Sequence, residues 1–215
     1  MNQRVVVGVV AVIALILGVI GALYIAPPDL DKTEVRYFQA YPEARNIAPF
    51  VLTNHHGETF SETSLKDQWS LIFLGYTFCP DICPTTMAEL NRIYPQLQQL
   101  PTENPIKVVF VSVDPKRDTV PRLADYVGYF NQSFIGLTGE HKDLFPFARN
   151  LGMMYAIAES TDKPDYLVDH SASIVLVNPK AQAVGRFKPK REPGKLSVSD
   201  AEQILADMPA IIAAQ

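Results

Sequence analysis

Apolar and polar positions divide the chain into one long uninterrupted apolar run and, after it, short apolar runs that alternate with helical patterns. The long run is Val5 to Ala26, VVVGVVAVIALILGVIGALYIA, 22 residues without a charge. A helix of that length, at about 1.5 Å of rise per residue, matches a hydrocarbon core of roughly 30 Å. A cleaved leader has a shorter apolar stretch, about 7–15 residues, closed by small residues in an A-x-A pattern. No such site stands out here, and Pro27 and Pro28 end the helix. The expectation is an uncleaved transmembrane anchor over 5–26, a cytoplasmic tail over 1–4 and a spacer over 27–46, rich in Pro, Asp, Tyr and Glu. Arg4 precedes the span and Asp29 and Asp31 follow it, so the positive-inside rule places the bulk of the chain outside. Four residues before the span leave no room for an Arg- and Ser-rich transit sequence. The expected location is therefore a bacterial inner membrane, single-pass, with residues 47–215 in the periplasm.

Within 47–215 the pattern predicts strands and helices in alternation. PFVLTNHHGETF, 49–60, reads as two short strands with turn chemistry at Asn54 and Gly57. SLIFLGYTF, 70–78, and IKVVFVSVD, 106–114, are apolar runs of strand length without clean alternation, as strands buried on both faces should be. Helical spacing places Leu90, Ile93, Leu97 and Leu100 on one face of a helix over 86–100. Helices are also predicted over 119–130, with Thr119 as N-cap, over 140–151, and at the C-terminus, capped by Ser197 or Ser199. A short strand falls near 134–137, and 171–179 with 183–189 reads as a hairpin. The fold class is α/β, a sandwich around a mixed sheet.

Composition changes this picture little. The chain has 215 residues, 47% hydrophobic and 20% charged, and a net charge of −4 that argues against nucleic acid as a partner. The basic residues Arg186, Lys188, Lys190, Arg191 and Lys195 cluster among prolines and a glycine. They read as a solvated hairpin loop, with a docking surface for an acidic partner as the alternative.

The chemistry concentrates in YTFCPDICPTT, 76–86, which holds both cysteines, Cys79 and Cys83. An oxidising compartment favours a disulfide, but a bridge over so small a loop stabilises little. The predicted strand–loop–helix order puts both sulfurs at a helix N-terminus, where unpaired N–H groups and the helix dipole favour a thiolate. Residues four apart share a helix face, so the sulfurs converge. Two sulfurs suit a soft ion, Cu(I) above all, whereas zinc usually takes four ligands and no second cysteine pair exists. A third ligand has to come from His55, His56, His141 or His170. His170 opens the strand in DHSASIVLVNP, at a strand end near the loop, while His55 and His56 fall in a turn and His141 heads a surface helix.

GYTFCPDICPTTMAEL, VSVDPKRDT and DHSASIVLVNP together resemble the Sco/SenC family of membrane-anchored, thioredoxin-like copper proteins. The resemblance covers the domain from about residue 47 onward and implies a thioredoxin-like three-layer sandwich. It implies that Cys79, Cys83 and His170 bind a copper ion. The partners it implies are the copper-centre subunit of cytochrome c oxidase, whose binuclear site is assembled, and a periplasmic copper donor. Asp114 and Asp118 match the family's acidic stretch and either shape the metal or partner surface or serve as turn and cap residues. Asp169 either orients His170 through a hydrogen bond or faces solvent. Met153 and Met154 read as core filling, Tyr76 and Phe78 as packing around the loop.

Two function classes follow from one pair of sulfurs. The first is a copper metallochaperone. The second is a thiol–disulfide oxidoreductase, with Cys79 and Cys83 as the catalytic redox pair. His170 separates them, because a pure oxidoreductase has no use for a third soft-metal ligand. A thiol peroxidase fits poorly, since Tyr76 stands where such enzymes carry a hydroxyl residue.

Overall fold

The computed structural model describes residues 2–25, 34–157, 161, 163, 165–190, 194 and 196–214, with side chains of residues 5, 6, 19 and 22–25 outside that description. The chain divides into two compact units, Met1–Glu34 and Val35–Gln215. In the first, helix α1 runs Gln3–Ile25, and its described apolar side chains, among them Val7, Leu15 and Leu17, are exposed. Among the described residues no helix is long and apolar enough to cross a membrane. The structure shows a helix, Gln3–Ile25, over the stretch the sequence predicts as an anchor.

The second unit is built on an eight-stranded sheet in the order β1-β10-β9-β4-β5-β6-β2-β3. Its strands are β1 (Gln39–Asn46), β2 (Val51–Asn54), β3 (Thr59–Ser61), β4 (Trp69–Gly75), β5 (Ile106–Ser112), β6 (Ile135–Thr138), β9 (Ile174–Asn178) and β10 (Gln182–Phe187). β7 (Tyr155–Ile157) and β8 (Val168–His170) form a separate antiparallel pair. β4, β5 and β6 run parallel, and β9 joins β4 antiparallel, so the sheet is mixed as expected. The helices are α2 (Ile82–Leu97), α3 (Val120–Phe130), α4 (His141–Asn150) and α5 (Ala201–Ala213).

Every residue of β4 is buried. Trp69, Leu71 and Phe73 pack on one face with Met87, Leu90, Ile93 and Leu97 of α2, Leu123 and Val127 of α3, and Ile204 and Met208 of α5. Ile72 and Leu74 pack on the other face with Leu144 and Phe147 of α4 and Tyr155, Tyr166 and Val168. That double covering is why the strand reads as a continuous apolar run rather than an alternating one.

Three expectations need correction. The stretch 39–46, read as spacer, is an edge strand paired with β10, its register broken between Ala40 and Arg45. Most of its residues are exposed, so it carries no apolar pattern to read. Its entry is fixed from the far end of the chain: the buried Asp207 carboxylate of α5 accepts N–H bonds from Arg36, Tyr37 and Phe38 at 2.6–3.1 Å. α2 begins at Ile82 rather than near 86, and α5 is capped by Asp200, whose side chain accepts from Glu202 N–H, rather than by a serine. The neighbouring Ser199 hydroxyl instead bonds the Phe187 and Ala172 carbonyls.

Candidate metal centre

The parallel strand β4 ends at Gly75, and the chain crosses to α2 through Tyr76–Asp81. Ligand sites of open α/β sheets form at such carboxyl ends of strands. Cys83, in the first turn of α2, turns inward and is 0% exposed, while Cys79 in the loop is half-buried. Glycine is required beneath them. A Cβ at residue 75 would lie 2.8 Å from Cys83 Sγ and 2.6 Å from Phe110 Cε2, closer than real Cβ contacts come.

The Asp81 side chain makes no capping bond; the Cys79 sulfur takes that duty, accepting the Cys83 N–H at 3.5 Å. One of the unpaired donors of the helix start is thereby satisfied by sulfur, which lets α2 begin at Ile82. The electrostatics follow. Hydrogen bonding from the Cys83 thiol, aided by His170 and by the Cys83 and Asp81 N–H groups, holds Cys79 as a thiolate with its pKa lowered to about 3, against the desolvation that opposes it. Cys83 is pushed the other way, raised by its bond to Cys79, by burial and by the neighbouring negative charge. One half-buried thiolate beside one fully buried thiol is the outcome.

His170 completes the group. Its Nε2 lies 3.4 Å from Cys83 Sγ, and the donor atoms of Cys79, Cys83 and His170 all lie within 4.8 Å of one another. Three ligands bonded at about 2.0–2.3 Å to one ion sit roughly 3.5–4 Å apart, so small side-chain rotations close the triangle. The ring is held edge-on against Phe73 (5.9 Å) and Tyr76 (6.0 Å). Its Nδ1 lies 3.3 Å from the Ser171 carbonyl, so the tautomer a metal would select, with the proton on Nδ1, has an acceptor ready and turns the Nε2 lone pair toward the sulfurs.

His170 does not open the strand of the hairpin, as the pattern suggested. It ends β8, opposite Tyr155 of β7, and the hairpin begins only at Ile174. Asp169 is exposed on β8 and pairs with Ala156; alternation along the strand turns it away from the face His170 uses, and the ring's second nitrogen meets Ser171 instead.

Asp114 and Asp118 are both about 1% exposed and lie beside the loop rather than at the three donors. Asp118 accepts from Thr77 N–H (2.9 Å), Thr77 Oγ1–H (2.7 Å) and Ser112 Oγ–H (2.6 Å), which ties down the residues just before Cys79. Burial raises its pKa against the pull of those three donors. Asp114 accepts from Tyr166 O–H and from Arg117 Nε at 2.5 Å. Arg117 in turn stacks on Tyr166 (3.6 Å) and Phe78 (4.7 Å), and Arg122 on the other side of Phe78 lies 3.9 Å from its ring. Sequence reasoning missed this Asp114–Arg117–Tyr166 cluster; the DPKRD run signalled acids and bases together, but Tyr166 joins only through the fold.

The other candidates are accounted for. His55 Nδ1 accepts Gly136 N–H at 3.1 Å, and His141 Nδ1 meets Tyr155 Oη at 2.9 Å. Met153 is buried, as core filling requires, but Met154 is 73% exposed. Tyr76 is buried in the core, whereas Phe78 is 43% exposed and held by arginines. Of the basic cluster, Arg186 sits on β10, Lys188 and Lys190 follow it, and Arg191 and Lys195 lie outside the described residues.

Comparison with known proteins gives the same answer as the geometry. The chain is 31% identical over 151 residues to the human mitochondrial SCO1 homolog, covering 70% of this chain and 50% of that one, so it spans about half the length of that relative. It is 33% identical over 189 residues to the SCO2-like protein RC0895 of Rickettsia conorii, covering 86% and 91%. The copper-bound crystal structure of Arabidopsis thaliana ScoI superposes with a TM-score of 0.64 at 32% identity, covering 78% of this chain and 98% of that one. The SCO1/SenC family model matches residues 39–205, which takes in the cysteine loop, the acidic run and His170 together. The chain belongs to the SCO1/SenC family.

Proposed function

We propose that this protein is a copper metallochaperone that carries one copper ion on Cys79, Cys83 and His170 for assembly of the binuclear copper centre of a cytochrome c oxidase. The observation that carries the reading is the convergence of the three donors within 4.8 Å on two thiols and an imidazole, a soft set that suits Cu(I) and tolerates Cu(II). It is supported by the copper bound in the crystal structure of A. thaliana ScoI. Cys79, already a thiolate and half-exposed, receives the ion first. Cys83 gives up its proton as the second bond forms, so loading releases a proton. His170 closes the triangle from β8 without crossing the core. The ion is cargo, and three ligands on the rim of the sheet leave a side open for a recipient's ligands to enter.

The reading extends to location. Helix α1 acts as a single-pass anchor in the inner membrane with the second unit in the periplasm, supported by the 22 uncharged residues of 5–26 and the charges that flank them. A periplasmic copper donor and the copper-centre subunit of the oxidase are the partners.

A second reading rests on the thiol asymmetry. A partly accessible thiolate beside a buried thiol is the arrangement a disulfide reductase uses. Cys79 would attack a target disulfide to form a mixed disulfide, and Cys83 would displace the target. The dithiol's two electrons then leave the target as two thiols and Cys79–Cys83 as a disulfide. The deciding experiment is metal analysis of the anaerobically reduced protein beside its His170→Ala variant, with thiol-reductase turnover assayed on both. The chaperone reading expects one copper per chain, lost from the variant at equal competitor concentration. Copper retained at wild-type affinity in a Cys79→Ser/Cys83→Ser variant would overturn the site.

A further inference from the structure

A second surface feature adjoins the metal centre. His170 lines one wall of an open groove of about 690 Å³, whose other lining residues are Ile82, Ser171–Ser173, Arg186, Lys188, Pro189 and Ser197. Ile82 is the first residue of α2, so the positive end of the helix dipole also faces this region. Two cations and, among the described residues, no carboxylate line the groove, in a chain of net charge −4. Among the described residues, neither Arg186 nor Lys188 is in an ion pair, whereas Arg92, Arg117 and Lys142 each have a carboxylate partner. Arg186 projects from β10, the strand next to β9 that leads out of the His170 segment, and Lys188 follows in the next residue but one.

We infer that this groove docks an acidic segment of a protein partner alongside His170, orienting the partner's thiols or imidazoles toward the open side of the metal centre. A binding site for anions that adjoins the ligand triangle serves a partner that must approach that triangle. Ser171, Ser173 and Ser197, interspersed in the lining, offer hydroxyls to carboxylates. Charges at such a rim act mainly on encounter rate and orientation, and their effect falls with salt. The identity of the partner as a copper recipient or donor rests on the metallochaperone reading; the docking of an acidic segment does not.

The test uses the full chain in neutral phosphatidylcholine nanodiscs, reduced and metal-free. A fluorescein-labelled peptide alternating Glu and Gly, without cysteine or histidine, is titrated against it and followed by anisotropy, beside the same peptide with Gln for Glu. The expected result is salt-sensitive binding of the Glu peptide, weakened about tenfold or more by Arg186→Glu/Lys188→Glu, the loss of two surface ion pairs reinforced by repulsion. Lys66→Glu/Lys180→Glu, a reversal of two cations whose backbones pair just before β4 and just after β9, leaves binding unchanged. Copper loading is measured in parallel on the same proteins, and Arg186→Glu/Lys188→Glu, neither residue being a ligand, still takes up one copper, so failure of copper loading and failure of docking read out separately. Since Arg186 also lies in a strand, Lys188→Glu alone, at an exposed residue, is the control for misfolding and retains about a threefold loss. Equal binding by wild type and both groove variants would overturn the inference. So would a groove reversal that abolishes association with phosphatidylglycerol vesicles while leaving the Glu peptide untouched, which assigns the groove to the membrane surface instead.

Discussion

Cys83 Sγ sits 3.4 Å from His170 Nε2, although 87 residues separate them in the chain. The contact joins the first turn of α2 to the end of β8, two elements that belong to different faces of the sheet, and meets at the rim where β4 ends. Everything chemical about the protein follows from that meeting, and so do the following expectations.

Cys79 should alkylate as a thiolate across the acid range. With its pKa near 3, the thiolate fraction is already complete above about pH 5, whereas an ordinary thiol loses about tenfold in reactive fraction for each pH unit below 8.5. Iodoacetamide labelling followed by peptide mass mapping should give a rate at Cys79 that is nearly flat from about pH 5 to 8, with Cys83 unlabelled in the folded protein. A Cys79 rate rising tenfold per unit over that window would contradict the hydrogen-bonded thiolate.

Oxidation should empty the site. Copper needs both sulfurs as thiolates, and a Cys79–Cys83 disulfide removes two of the three donors. Diamide treatment of the copper-loaded chain should release about one equivalent of copper per disulfide formed, detected with a chromogenic chelator, and reduction should restore loading. Undiminished copper in the disulfide form would reject the ligand set.

Gly75→Ala should act on the site from behind. The new methyl meets Cys83 Sγ at 2.8 Å and Phe110 Cε2 at 2.6 Å, and neither can withdraw freely from a packed core. Overpacking of this kind costs about 1–3 kcal/mol, measurable by urea denaturation. Copper affinity should fall together with stability, because the sulfur that must move is a ligand. Unchanged copper affinity would show that Cys83 has room to retreat.

Asp118→Asn should loosen the loop and spare the donors. All three contacts to that carboxylate come from N–H or O–H groups, so an amide there trades charge-assisted bonds for neutral ones, and its NH₂ meets a Thr77 hydroxyl that already accepts from Arg122 Nε. The expected destabilisation is about 1–3 kcal/mol, with faster hydrogen exchange at Thr77 N–H. One copper should still bind, more weakly than in wild type and far more tightly than in Cys83→Ser. A protected Thr77 amide in the variant would remove Asp118 from the loop's support.

Much of the fold was readable in advance because burial leaves a pattern. β4 and β5 are covered on both faces and read as unbroken apolar runs; α3 begins where Thr119 and Pro121 announce it. β1 was unreadable for the opposite reason. An edge strand with exposed side chains has no pattern, and what holds it, β10 and the Asp207 carboxylate, lies some 140 to 170 residues away. The start of α2 was misplaced because its first N–H partner is a cysteine sulfur, a cap that residue preferences do not register.

From the amino acids alone came the two thiols ahead of a helix, the histidine suited to join them, the apolar amino-terminal run and the resemblance that ties these together. Those are local or compositional facts, and short-range chemistry carries them. The fold alone decided which thiol is the buried one, why residue 75 has to be glycine, how Asp118 and Arg117 grip the loop, and that Asp169 turns away. It alone brought Arg186 and Lys188 into one groove with the imidazole. These depend on distances between segments remote in the chain, which the packing of both sheet faces sets and no stretch of sequence contains.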